Sequence, residues 1–161
     1  MMRRSIIVFL SFWIVSGMVA AGGSFASPPE APPEISAGEL LKRIAGESGR
    51  VVVVNVFATW CPPCREEIPG LIKIRGAFSE KELLILGISV DREPKALSNY
   101  MSELKISYPV MLAQGDFIER MGVAAVPQLL IYDKKGELVL NHKGLLDEAK
   151  LHKAIKDVLA K

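Results

Sequence analysis

The 161-residue sequence predicts an α/β fold, a mixed β-sheet with helices on both faces. Three observations carry that prediction. Two apolar runs, the β-branched Arg50–Ala58 and then Glu82–Val90, suit strands buried on both faces, the first lacking the alternation of a half-exposed strand. Segments with helical spacing alternate with them. Two further strand-like runs close on a short turn, which adds an antiparallel hairpin.

In chain order, Ser36–Glu47 reads as a helix. Ser36 caps it, Glu39 sits three residues on, and Leu40, Leu41 and Ile44 share a face. After the first strand, Pro62–Phe78 turns helical, with Ile68, Leu71, Ile72 and Phe78 on one side. Pro69 interrupts this helix and should kink it, because the ring removes one hydrogen bond and crowds the preceding turn. After the second strand, Asp91–Lys105 is expected to be a helix with Ala96, Leu97, Tyr100, Met101 and Leu104 inward. YPVML then suits a short strand and DFIERMG a helical stretch, with Tyr100, Met101 and Phe117 assigned to the core. Gln128–Asp133 and Glu137–Lys143 form the hairpin across Lys134-Lys135-Gly136. The closing helix places Leu151, Ala154, Ile155, Val158 and Leu159 on one face. Its acids lie at the start and lysines near the end, which complements the helix dipole.

Arg3 and Arg4 precede a continuous apolar run from Ile6 to Ala21, and Ser24-Phe25-Ala26 supplies a cleavage signal. Residues 1–26 therefore read as an export signal peptide. An uncleaved N-terminal membrane anchor is the alternative, the run being slightly shorter than a full span. Either way the remainder is exported, to the periplasm or cell envelope, and the basic start stays cytoplasmic. Residues 27–34, SPPEAPPE, form an extended proline-rich linker. The folded domain is assigned to residues 35–161. Without Arg3 and Arg4, the 20 basic residues become 18 against 18 acids, and this neutrality argues against nucleic-acid binding.

Cys61 and Cys64, the only cysteines, stand two residues apart, between a strand and a helix. A structural disulfide stabilises more when it closes a long loop, and this pair encloses almost none. A zinc site needs about four ligands, and only the distant His142 and His152 could join the cysteines. A redox pair fits better. At a helix N-terminus the unpaired N–H groups and the dipole stabilise a thiolate. Cys61, at the cap, is expected to be the accessible nucleophile, and Cys64, in the first turn, the more buried resolving thiol. Pro62 and Pro63 are tolerated where N–H groups lack helical partners. They stiffen the loop at the cost of two donors to the Cys61 sulfur. Glu67 lies three residues after Cys64 on the same face, where a partly buried carboxylate with a raised pKa could carry the Cys64 proton.

VNVFATWCPPC, LGISVD and GVAAVPQLLIYDKKGELV together resemble the TlpA/ResA-like thiol–disulfide oxidoreductases of the thioredoxin superfamily, over residues 35–160. The resemblance implies a thioredoxin fold with a helix-containing insertion, here residues 91–113. It implies that Pro127 is a cis-proline beside the cysteines and that Val126 offers backbone groups to an extended substrate. It makes Glu67 a functional glutamate and Trp60 part of the partner-binding surface. Asn55 stands where cytoplasmic thioredoxins have a buried aspartate, and Gln128 where the family usually has Thr, a departure that bears on substrate preference. The implied activity is reduction of protein disulfides, such as those of apocytochrome c or copper-site proteins. Electrons would come from a membrane thiol donor related to DsbD or CcdA, with no metal or organic cofactor. A DsbA-like oxidant, a copper-binding maturation chaperone and a thiol peroxidase are the competing readings. A peroxidase would carry Thr three residues before the reactive cysteine, where this chain has Ala58.

Overall fold

The structure, a computed structural model, describes residues 31–161. Residues 1–26, read above as an export segment, and the first part of the expected linker lie outside them. Six strands form one mixed sheet in the order β1-β4-β3-β2-β5-β6. They are β1 (Glu34–Ile35), β2 (Val51–Phe57), β3 (Leu83–Ser89), β4 (Val110–Ala113), β5 (Gln128–Tyr132) and β6 (Leu138–Lys143). β1 to β4 pair in parallel, whereas β2–β5 and β5–β6 are antiparallel. The helices are α1 (Ala37–Gly46), α2 (Pro62–Ala77), α3 (Pro94–Leu104), α4 (Phe117–Arg120) and α5 (Glu148–Leu159).

β2 explains the layering. All seven of its residues are buried, so its alternating side chains supply both faces of the sheet. Val51, Val53 and Phe57 pack with residues of α2, α3 and α5. Val52, Val54 and Val56 pack with residues of α1 and α4. Asn55 has the parity of the first set and therefore points into the α2 layer. The mixed sheet with helices on both faces is thus observed.

α1 begins as its sequence implies. Ser36 Oγ accepts from Glu39 N–H, and the Glu39 carboxylate accepts from Ser36 N–H. Such reciprocal capping satisfies two donors that the helix cannot. Ala37, Leu40 and Ile44 form the buried face, while Leu41, expected on it, is 44% exposed. The spacing of three and four places Leu40 and Ile44 against the sheet and turns Leu41 a further 100° around the axis. α3 shows the same correction. Leu97, Ser98 and Tyr100 are buried, whereas Ala96 is exposed. The helix also starts at Pro94, not Asp91, because Asp91 is engaged elsewhere and Pro94 suits the first turn.

β1 is a strand that the linker assignment missed. Leu112 N–H donates to Pro33 O and Gln114 N–H to Ile35 O, so Glu34 belongs to the sheet edge. A two-residue strand carries no periodicity, and proline is compatible with an edge position. α2 runs from Pro62 to Ala77 through Pro69. Its buried residues, Cys64, Glu67, Ile68, Leu71 and Ile74, follow one helical stripe.

Candidate active site

The site forms where β2 ends and α2 begins. Val51–Phe57 is held between β3 and β5, so the chain leaves the sheet at a fixed place. Thr59 anchors the exit. Its N–H donates to the Asp91 carboxylate at 3.0 and 3.2 Å and its hydroxyl at 2.8 Å. Ser89 Oγ donates to the same carboxylate at 2.5 Å. Asp91 thereby ties the turn before the cysteines to the end of β3. Asp91, expected to open the following helix, instead lies just past the end of β3, as its place in LGISVD signals.

Cys61 is the N-cap of α2, Pro62 and Pro63 open the first turn, and Cys64 completes it. The cysteines form a disulfide with Cα atoms 5.3 Å apart. Cys64 N–H donates to the Cys61 sulfur at 3.3 Å. Prolines have no N–H, so among the described residues this is the one N–H that the sulfur accepts. The expected order of burial is observed, but both cysteines are well covered. Cys61 is 4% exposed and Cys64 is fully buried. Cys61 is thus less open than its cap position implies, because the chain before Pro127 closes over it. The Val126–Pro127 peptide is cis, and Val126 O lies 3.6 Å from Cys61 Sγ. That contact becomes a hydrogen bond when Cys61 carries a proton as a thiol.

Glu67 is buried beneath this surface, three residues along α2 from Cys64. Asn55 Nδ2 donates to its Oε2 at 2.5 Å, and Leu146 N–H donates to its Oε1 at 3.1 Å. Burial raises its carboxyl above the usual 4.5. The Leu146 amide, the Asn55 amide and the charge of His142 oppose that shift without cancelling it. A neutral-to-anionic carboxyl of this kind can take or return a proton inside the fold. Burial, followed by the charge of Glu67, pushes the Tyr108 phenol well above its ordinary value. Tyr108 and Leu146 come from distant stretches that carry no motif, and sequence reasoning missed them. His142 contributes a nearby charge on the β6 hairpin, and no group of three or more His, Cys, Asp or Glu side chains suited to a metal ion occurs among the described residues.

Most of the remaining site residues are superficial. Trp60 is 67% exposed and borders, with Val90, Arg92 and Ala96, an open depression of about 520 Å³. Pro62 and Pro63 are exposed, Val126 is half-buried and Pro127 buried. The structure therefore gathers Trp60, Cys61, Cys64, Val126 and Pro127 at one edge, with Glu67 behind them.

The AhpC/TSA family model matches residues 38–140. The chain is 27% identical to the thiol-disulfide oxidoreductase ResA of Halalkalibacterium halodurans, over 91% of this chain and 88% of that protein. It is 27% identical to the ResA of Bacillus thuringiensis subsp. konkukian over 68% of this chain, an alignment that spans 64% of that relative's length. A solved structure from Chlorobium tepidum, described as a thiol:disulfide interchange protein of the thioredoxin family, superposes with a TM-score of 0.66 at 30% identity. It covers 71% of this chain and 83% of that one. With the sheet order and the paired cysteines already in place, the chain belongs to the AhpC/TSA family and to the thioredoxin superfamily, and the ResA thiol–disulfide oxidoreductases are among its relatives.

Proposed function

We propose that the protein is an exported reductant of protein disulfides, acting by dithiol–disulfide exchange at Cys61 and Cys64. The Cys61 thiolate attacks one sulfur of a client disulfide and forms a mixed disulfide, and the client's other sulfur leaves as a thiolate. Cys64, deprotonated toward Glu67, then attacks Cys61 Sγ. The client's second thiol is released, the Cys61–Cys64 disulfide forms, and two electrons have passed to the client. Another thiol must reduce the pair again, and a membrane thiol donor related to DsbD or CcdA fits that requirement. Apocytochrome c and copper-site proteins are the client class proposed, and the N-terminal apolar segment supports work in the periplasm or cell envelope, tethered or free.

One observation carries the direction. An oxidant of this fold is strong because its reduced form is stabilised. Here Pro62 and Pro63 take away two of the amides that would stabilise a Cys61 thiolate, and the Cys64 N–H is the donor that remains. The nearest basic side chain on α2, Arg65, donates to Thr59 O. A thiolate with so little support leaves the disulfide as the favoured partner of the pair, which suits a reductant.

The test is the reduction potential of the full chain in dithiothreitol and glutathione buffers. A value near that of thioredoxin, about −270 mV, is expected. A value near about −120 mV would reverse the direction and make the protein an oxidant.

A further inference from the structure

We propose that Gln128 is a positioning residue for protein substrates, setting the stretch of free backbone at Val126 onto which an extended client peptide docks. This rests on the oxidoreductase reading above and adds to it the element that selects peptides over small disulfides. Gln128 opens β5 and is fully buried, yet polar. Each polar atom of its amide is used. Oε1 accepts from Ala124 N–H at 3.2 Å, and Nε2 donates to Gly122 O at 3.4 Å and to Asn141 Oδ1 at 3.0 Å. The side chain thus reaches back across the segment that follows α4 and pins it to β6.

That segment leads directly into the cis-proline. Gly122 is in the left-handed region, with φ of 63°, where the chain turns out of α4. Val123 N–H returns to Ile118 O, and Gln128 holds Gly122 and Ala124. On the far side, Gly144 N–H donates to Pro127 O at 2.8 Å. Between these ties, the N–H groups of Ala125 and Val126 make no hydrogen bond among the described residues. Val126 O faces the Cys61 sulfur. The result is a short stretch of backbone, clamped at both ends and free in the middle, beside the nucleophile. Free backbone groups on an exposed stretch of chain can recognise an extended peptide through its main chain. A small disulfide has no main chain of that length to offer. A clamp that holds the stretch before the peptide arrives reduces the ordering cost of binding, so its effect belongs to affinity and not to the exchange chemistry.

The reduced full-length chain, as wild type, Gln128→Met and Asn141→Ala, is mixed with glutathione disulfide and, separately, with a short extended peptide carrying one cysteine as its mixed disulfide with glutathione. Gln128→Met keeps the volume and removes all three hydrogen bonds. Asn141→Ala alters an exposed residue and removes one. For Gln128→Met the peptide's half-saturating concentration should rise about tenfold, equivalent to about 1.4 kcal/mol. Its limiting exchange rate should stay within about twofold, the pattern of lost binding and not of lost chemistry. Asn141→Ala should move the same parameter in the same direction by less, so the test survives if Gln128→Met does not fold. Hydrogen exchange at Ala124 should speed up in both. Wild-type half-saturation in both variants, or a loss shared equally by the peptide and glutathione disulfide, overturns the assignment of Gln128. A wild-type chain that reacts with neither disulfide overturns the oxidoreductase reading itself, and this assignment with it.

Discussion

Cys61 and Cys64 differ in what surrounds them, and single substitutions should separate their roles. On the proposed mechanism, Cys64→Ser leaves the attacking sulfur and removes the group that resolves the intermediate. It should accumulate mixed disulfides with clients, visible as high-mass bands on non-reducing gels. Cys61→Ser should accumulate none. Equal behaviour of the two variants would mean that the cap position does not select the nucleophile. Behind them, Asn55 holds Glu67 by a single donated bond. Among the described residues its own Oδ1 has no partner, so truncation forfeits nothing on that side. Asn55→Ala leaves one carboxylate oxygen buried and unpaired, and should cost about 1–3 kcal/mol of stability by urea unfolding.

At the scale of elements, β3 meets β4 at Gly87, paired with Val110. A Cβ there would lie 3.0 Å from Val110 Cγ2, 3.2 Å from Tyr108 Cε2 and 3.3 Å from Phe57 Cε1. All three neighbours are buried, so none can move into solvent. Gly87→Ala should therefore destabilise the protein by about 1–3 kcal/mol, the usual range for overpacking, as measured by the denaturation midpoint. The same crowding lies near the site, because the charge of Glu67 is felt at the buried Tyr108 phenol. Helix α2 joins the two differently. Its buried stripe runs from Cys64 through Glu67 to Ile74, so the residues that pack the helix and those that serve the cysteines occupy one face.

For the molecule as a whole, Glu67 is an ionisable group whose protonated form the fold favours, since burial raises its pKa. In the unfolded chain the carboxyl ionises near its ordinary 4.5, before it does so in the folded state. Its contribution to stability is therefore fully present below 4.5 and is lost as pH rises through the folded pKa. Exposed carboxyls with lowered pKa, such as those of Glu39 and Asp147, work in the opposite sense. Their contribution is present above the ordinary value and is lost as pH falls through the folded one. The comparison with Glu67→Gln separates them. That variant loses one hydrogen bond at every pH, a constant offset, and should lack the decline that wild type shows above 4.5. Parallel stability-against-pH curves for the two proteins would show that Glu67 does not titrate differently on folding.

Local pattern in the sequence already determined much of this. The apolar runs specified β2 and β3, because a strand buried on both faces needs apolar side chains at most positions. The residues of α1 wrote its capping box, and Cys61-Pro-Pro-Cys64 marked the start of a helix. Glu67 was legible as well, lying on the stripe that Cys64, Ile68 and Leu71 define. Contacts between distant stretches were decided only by tertiary structure. β1 exists because β4 offers it an edge, and Leu41 and Ala96 are exposed because the sheet covers a narrower face of each helix than apolar spacing suggests. Asp91 reaches back to Thr59, Leu146 offers its amide to Glu67, and Gln128 clamps the chain before Pro127. Each of these is a hydrogen bond between groups that no periodicity relates. A buried polar group must find its partner wherever the fold brings one within reach.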